Sequence, residues 1–268
     1  MNVDRRWRIS LRVVALGYLA VLLLVPVALV FYRTFEKGIG AFFESITTPA
    51  AISALFLTLE VALITVPLNA VFGVLAAMAL VRGKFPGKRL LDALIDLPFA
   101  ISPVVIGLSL LLLYGRTGWF GPWLTEHGIQ IIFSLPGIVL ATIFVSMPFV
   151  VREVAPVLKE VGDEQEQAAA TLGASNWQSF WRVTLPSIRW GLAYGVVLST
   201  ARAIGEFGAV SVVSGKISGE TETLTLLVEK RFQNFDLAGA YAASALLALI
   251  ALTTLFAMSL IGDRRSET

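Results

Sequence analysis

Ionisable side chains set inside long apolar runs are the residues of this chain whose types invite a chemical reading, because a charge at membrane depth is costly and marks a pathway or a pairing. Glu60 lies in the second such run, Asp92 and Asp96 open the third, and Arg202 and Glu206 occupy the fifth. Arg202 and Glu206 are four residues apart, which on a helix puts them on one face and within pairing reach. They read either as a self-neutralising internal ion pair or as part of a pore or gate. Pro98 and Pro103 must break or kink the helix that carries them. Irregular backbone at that depth is tolerated only where it is buried in protein or lines a cavity, so both prolines join the candidate pore residues. Hydrolytic or redox chemistry has no comparable foothold. The chain has no cysteine, which excludes disulfides, thiolate metal sites and cysteine catalysis. Its lone histidine, His127, cannot build a metal site and reads as an exposed loop residue. Dispersed acids and one histidine do not make a nucleophile–base or two-carboxylate constellation. The run Gly83 to Arg89 has the wrong spacing for a nucleotide phosphate loop and lacks the Ser or Thr that would hold magnesium.

These residues need a membrane scaffold, and composition supplies one. Of the 268 residues, 56% are hydrophobic and 15% charged, where a soluble domain carries about a quarter charged. Apolar stretches near or above about 18 residues are the mark of spanning helices. The predicted fold class is all-α, a polytopic bundle of six transmembrane helices forming one domain over residues 1–268. The expected spans are about 13–32, 52–81, 90–114, 130–151, 188–213 and 237–262. Arg5, Arg6, Arg8 and Arg12 precede an apolar run from Val13 to Phe31. That run exceeds a secretory core of about 7–15 residues and is followed by no small-x-small cleavage site, so it reads as an uncleaved first span. In the fifth span Gly191 and Gly195, four apart, permit close helix packing.

Orientation follows the basic residues. With the N-terminus inside, Arg5, Arg6, Arg8, Arg12, Arg82, Lys84, Lys88, Arg89, Arg152, Lys159, Arg182, Arg189, Arg264 and Arg265 fall on the cytoplasmic side. Arg33, Lys37, Arg116, Lys216, Lys230 and Arg231 fall outside, and Arg202 lies within a span. The bias exceeds two to one, and an even number of spans agrees with both termini being cytoplasmic.

That orientation puts the long polar connection between spans four and five in the cytoplasm, with its informative part at residues 160–186. Asp163 to Leu172 are good helix formers, with Asp163, Glu164 and Glu166 in the first turn, where the helix dipole favours acids. Gly173 supplies a stop. Ser175 and Gln178 form a capping-box pattern for a second helix, on which Trp177, Phe180 and Trp181 share one face. Leu185-Pro186 is expected to end that helix before span five. The alternative reading is an amphipathic loop resting on the membrane. Gln167, Ala168 and Ala169, then Gly173 after three residues, then Val183-Thr184-Leu185-Pro186 after nine, resemble the cytoplasmic EAA loop of bacterial ABC importer permeases. Gln167 stands where that family usually has Glu, and Val183 where it has Ile; Glu164 or Glu166 could replace the missing charge.

A second resemblance comes from span five. The stretch Ala201-Arg202-Ala203-Ile204-Gly205-Glu206-Phe207-Gly208-Ala209-Val210-Ser211-Val212-Val213-Ser214-Gly215 is similar to sulfate permease subunits of the CysW type, as are Arg189 to Gly195 and Asp96 to Pro103. Molybdate permeases share a shorter version. The resemblance implies a type I ABC importer permease (MetI-like) fold and translocation of sulfate, with thiosulfate a possible co-substrate, by alternating access across the inner membrane. It implies a loop that docks its helix into a groove of an ATPase subunit, through Gln167, Ala168, Ala169, Gly173, Val183, Leu185 and Pro186. The implied partners are a second homologous permease, two cytoplasmic ATPase subunits and an extracytoplasmic sulfate-binding protein. No catalytic residue, metal or cofactor is expected on this chain, ATP and magnesium being held by the ATPase. Molybdate or tungstate is the alternative cargo. An ATP-independent anion channel or secondary carrier is the rival class, and the cytoplasmic helix pair argues against it.

Overall fold

The computed structural model describes residues 5–263, with side chains from Leu11 to Thr254 and at Phe256. Arg264 and Arg265, counted above as cytoplasmic, lie outside the described residues. The fold is helical throughout. Helix α1 (Arg5–Leu19) runs through a π-helical turn, Ala20–Leu24, into α2 (Val25–Phe35). A short outer helix α3 (Ile39–Ile46) leads to α4 (Pro49–Arg82), whose first turn is capped by the Thr48 hydroxyl accepting from the Ala51 amide at 3.3 Å. Then come α5 (Lys88–Ala100), α6 (Pro103–Tyr114), α7 (Gly121–Glu126) and α8 (Leu135–Val161). Beyond α8 lie α9 (Glu164–Thr171) and α10 (Asn176–Ser179), and a π-helical turn Phe180–Thr184 passes into α11 (Leu185–Ile204). The chain finishes with α12 (Val210–Val213), α13 (Leu224–Gln233) and α14 (Leu237–Asp263).

Among the described residues four stretches are long and apolar enough to cross a membrane: Leu11–Phe35, Pro49–Arg82, Leu135–Val161 and Leu237–Thr254. The expected third span, 90–114, is not one helix. It is α5 and α6 meeting at 112°. Pro103 accounts for the break, since a proline disfavours helical backbone at the residue before it, and Ser102 is extended at φ −59° and ψ 135°. Pro98, expected to break the span as well, stays buried inside α5. The expected fifth span, 188–213, is also interrupted. Its helix α11 ends at Ile204, nine residues early, and α12 resumes only at Val210. At 20 residues α11 is about 30 Å long, which matches a hydrocarbon core.

The core is built where α4, α8 and α11 pack against one another. Gly73 of α4 lets the helices close, since a Cβ there would lie 2.5 Å from a Val150 methyl. On α11, a Cβ at Gly191 would lie 2.9 Å from the Glu153 carbonyl oxygen, and one at Gly195 would lie 2.9 Å from Val150 Cα. The glycine pair singled out in the sequence therefore sets the spacing of α11 against α8. At the centre of this trio the Asn69 amide donates to Ser146 Oγ at 2.7 Å and to Ser199 Oγ at 3.2 Å, all three residues being fully buried. One polar side chain from each helix meets there, and within a bilayer such bonds stabilise packing by about 0.6 kcal/mol on average. At the other end of the bundle Arg231 of α13 donates to the Gly239 and Ser45 carbonyls and to Thr48 Oγ1, at 3.1, 3.0 and 2.9 Å, pinning the outer short helices to α4 and α14.

Candidate functional site

Two places in the fold gather the residues singled out in the sequence. The first is the helix pair after α8. Gly162, at φ +69°, turns the chain out of α8, and α9 follows with Glu164 and Glu166 in its first turn. Its C-terminus is closed by the amides of Gly173 and Ala174, which donate to the carbonyls of Ala170 and Ala169, both at 3.0 Å. Gly173 reverses the chain at φ +85°, where a side-chain-bearing residue is strained. The capping box forms as the sequence predicts. Ser175 Oγ accepts from the Gln178 amide at 3.3 Å, and Gln178 Oε1 accepts from the Ser175 amide at 2.9 Å. Leu185-Pro186, however, does not end the second helix. The π-helical turn carries α10 directly into α11, and Pro186 follows that turn inside a continuous helix, where its missing amide leaves a gap in the hydrogen-bond ladder.

A carboxylate ties the pair to the bundle, alongside the packing of Phe180 and Leu185 on the core. Glu166 faces Arg82 at the end of α4, with Nε 3.2 Å from Oε2, and its Oε1 accepts from Thr184 Oγ1 at 2.8 Å. Arg82 also donates to the Gly162 carbonyl. Three segments, the end of α4, the start of α9 and the entry to α11, thus converge on Glu166. Of the two acids that could replace the missing glutamate at position 167, it is Glu166 that pairs. Gln167 itself is exposed, as are Ala168 and Gly173, while Ala169, Val183 and Leu185 are partly covered. The outward surface is strongly apolar for a loop: Leu172 is 89% exposed and Trp177 70%. Trp177 and the half-exposed Trp181 pack on each other and on Phe180, which turns back onto the core, with ring centroids 5.4–6.3 Å apart. An exposed apolar cluster on a rigid helical hairpin is the build of an interaction surface.

Removing the tie should loosen the hairpin without unfolding the bundle. Glu166→Ala is expected to lose about 1–2 kcal/mol, because the pair is partly solvated and includes charge-assisted hydrogen bonds. The thermal midpoint of the purified protein should fall by a few degrees. The swap of Arg82→Glu with Glu166→Arg should recover part of that loss, and a swap no better than either single change would refute the pairing.

The second place is the pair of helix breaks. Arg202 in the last turn of α11 and Glu206 beyond its end are paired, Nη2 to Oε2, at 2.8 Å. They meet although Glu206 is no longer helical, because the chain turns at Gly205. The Glu206 side chain is 1% exposed, that of Arg202 31%. Glu206 Oε1 accepts from the Ala209 amide at 2.8 Å, and the Glu206 carbonyl accepts from Thr225 Oγ1 of α13 at 2.9 Å. One residue therefore pairs a cation, holds the amide just before the next short helix and receives α13. The two breaks also touch. A Cβ at Gly208 would stand 2.8 Å from Pro103 Cβ, and one at Gly107 would stand 2.7 Å from the Ala209 carbonyl oxygen. Pro103 and Glu206 thus belong to one junction of unwound backbone, the kind that membrane proteins tolerate only within protein or beside a cavity. Pro98 is not part of it.

The other intramembrane acids separate. Asp92 and Asp96 both bind Arg152 of α8, with Nη2 2.8 Å from Asp92 Oδ1 and 2.6 Å from Asp96 Oδ2, and so tie α5 to α8. Glu60 is exposed on α4 and has no charged partner among the described residues. His127 is exposed at the end of α7, with Nδ1 2.8 Å from the Trp123 carbonyl oxygen. Among the described residues no three His, Cys, Asp or Glu cluster as metal ligands.

A bundle of apolar helices with two touching helix breaks and an apolar hairpin projecting from one end defines a multi-pass membrane transport component. The model of the family described as binding-protein-dependent transport system inner membrane component matches residues 69–267, and the chain belongs to this family. The chain is 52% identical over 266 residues to the sulfate transport system permease protein CysW of Synechocystis sp. PCC 6803, covering 98% of this chain and 96% of that protein. It is 53% identical over 242 residues to CysW of Escherichia coli K12, covering 90% and 83%. It is 40% identical over 250 residues to the sulfate transport system permease protein CysT of the same organism, covering 93% and 90%. The fold is similar to a chain of a bacterial ABC transporter that imports the acidic polysaccharide alginate, with a TM-score of 0.76, 18% identity and coverage of 97% and 99%.

Proposed function

We propose that this chain is the permease subunit of an ATP-driven importer that carries sulfate across the cytoplasmic membrane by alternating access. The observation that carries this reading is the 52% identity to a sulfate permease along 98% of the chain. The apolar hairpin around Gly173 is the surface that meets an ATPase, a helix-in-groove contact, and ATP with magnesium is bound there and not on this chain. The tie through Glu166 hands motion of the hairpin to α4 and α11 together, and α11 ends at the junction of the two breaks. A second, homologous permease completes the path. Glu60 supports this, since a carboxylate left unpaired within an apolar span calls for a partner from another subunit. A binding protein delivers sulfate from outside, and both termini and the hairpin are cytoplasmic.

Uptake of labelled sulfate should vanish when the gene is deleted and return with the wild-type copy. Loss of molybdate uptake with sulfate uptake intact would replace the cargo. Single cysteines introduced at Gly40 and at Glu160 should react from opposite sides with an impermeant thiol reagent. Labelling of both from outside would overturn the orientation.

A further inference from the structure

At the hairpin end of the bundle, away from the two breaks, lies a cavity of about 550 Å³. It is lined by Lys88 and Arg89 from the first turn of α5 and by Arg152 and Lys159 from α8, over an apolar floor that includes Leu80 and Phe85. Asp92 also lines it, and Asp92 and Asp96 are both engaged by Arg152. With those two acids set against the four cations, a surplus of two positive charges remains. That surplus is unmatched locally. Lys88 Nζ reaches only the Gly83 carbonyl, at 3.3 Å, and Arg89 and Lys159 have no carboxylate partner among the described residues. The placement of Lys88 and Arg89 is also unfavourable for the helix, because cations in a first turn oppose its dipole. Gly87 supplies no side-chain cap there, and no acid precedes them in that turn. Like charges drawn from two helices around one concavity raise each other's energy unless an anion enters.

We propose that this cavity binds a tetrahedral oxyanion on the cytoplasmic side, a site separate from the path between the helix breaks. Two sources carry that chemistry: the phosphodiester of an anionic phospholipid in the inner leaflet, and free sulfate in the cytoplasm. The cytoplasmic assignment rests on the orientation proposed above; the site itself does not. Basic clusters just inside a spanning helix attract anionic headgroups, each cation contributing a factor of about five in affinity. Leu90 and Leu94, exposed on α5 beside the cavity, give an acyl chain a surface to lie on.

The test uses the full-length chain in lipid nanodiscs. In one arm the discs contain phosphatidylcholine with a minor share of phosphatidylglycerol, and retained lipid is counted by native mass spectrometry. In the other the discs contain phosphatidylcholine alone, and binding of labelled sulfate is measured by equilibrium dialysis. The wild type should hold the anion in at least one arm, and that arm identifies the source. The triple change Lys88→Gln, Arg89→Gln, Lys159→Gln should weaken that binding by at least about tenfold. Lys159→Gln alone should weaken it by about fivefold, which keeps the test decisive should the triple variant fail to enter discs. Lys84→Gln, whose side chain does not line the cavity, should bind as the wild type does. No preference for either anion in the wild type, or binding that survives the loss of these cations, would overturn the proposal. Neither arm needs an ATPase or transport, so its outcome is independent of the coupling role given to Gly173.

Discussion

Gly173→Asp is expected to leave the protein in the membrane at normal abundance and to abolish ATP-driven uptake. The two effects separate because of where Gly173 sits. At φ +85° it occupies a backbone region that costs a side-chain-bearing residue about 1–2 kcal/mol, and that cost falls on a solvent-exposed turn outside the bundle. A Cβ added there meets nothing within 4 Å, so packing within the chain does not resist it. The damage is to the surface: on the proposed docking role, a carboxylate next to Leu172 on this apolar surface must be desolvated when the surface is covered. Gly173→Ala strains the turn without adding charge and should retain part of the uptake. Ala168→Asp, exposed on α9, should act like Gly173→Asp. Membrane abundance, recovery of the ATPase in a pull-down and sulfate uptake are to be measured together. Normal ATPase recovery and normal uptake in Gly173→Asp would remove the hairpin from energy coupling.

What the sequence reveals and conceals divides by the range of the interactions. The capping box at Ser175 and Gln178 and the reversal at Gly173 are written in a few adjacent residues, and the structure has them as read. The broken third span was half legible: both prolines are visible, but only Pro103 breaks the chain, while Pro98 is absorbed into α5. The end of α11 was hidden because the largely apolar run from Ala209 to Val213 reads as the same helix continuing, although Gly205 and Gly208 stand between the two. What stops it is Glu206, turning inward to Arg202 and to the Ala209 amide, with Thr225 of a later helix holding its carbonyl. Glu164 and Glu166 look equivalent as stand-ins for the acid missing at position 167. Two positions on a helix are about 200° apart, and only Glu166 faces Arg82, a residue 84 positions away. The Arg152 tie to Asp92 and Asp96 and the Asn69–Ser146–Ser199 junction are likewise contacts between distant segments, with no local pattern to announce them.

Removing one partner of the Arg202–Glu206 pair is expected to cost far more than removing both. Glu206 is buried to 1% exposure and Arg202 to 31%. A charge left alone in such a place destabilises by about 3–5 kcal/mol, whereas an uncharged pair of similar shape is often tolerated. Arg202→Met should therefore strand the Glu206 carboxylate and sharply reduce the amount of folded protein. Glu206→Gln strands Arg202 instead, and should cost less, because an amide oxygen can still accept from the Ala209 amide and the cation keeps some solvent. The double change Arg202→Met, Glu206→Gln should restore most of the abundance. Uptake by the double variant then separates the two roles the sequence left open. A pair that only holds the junction of helix breaks together predicts uptake recovering in step with abundance. A pair that gates the path predicts full abundance with uptake still lost. The junction itself favours the first outcome: the Arg202 guanidinium is already matched by the Glu206 carboxylate at 2.8 Å, so its charge is not free to meet a passing anion. An abundance in the double variant no higher than in Arg202→Met would show that the two side chains do not depend on each other, and the pairing would lose its structural meaning.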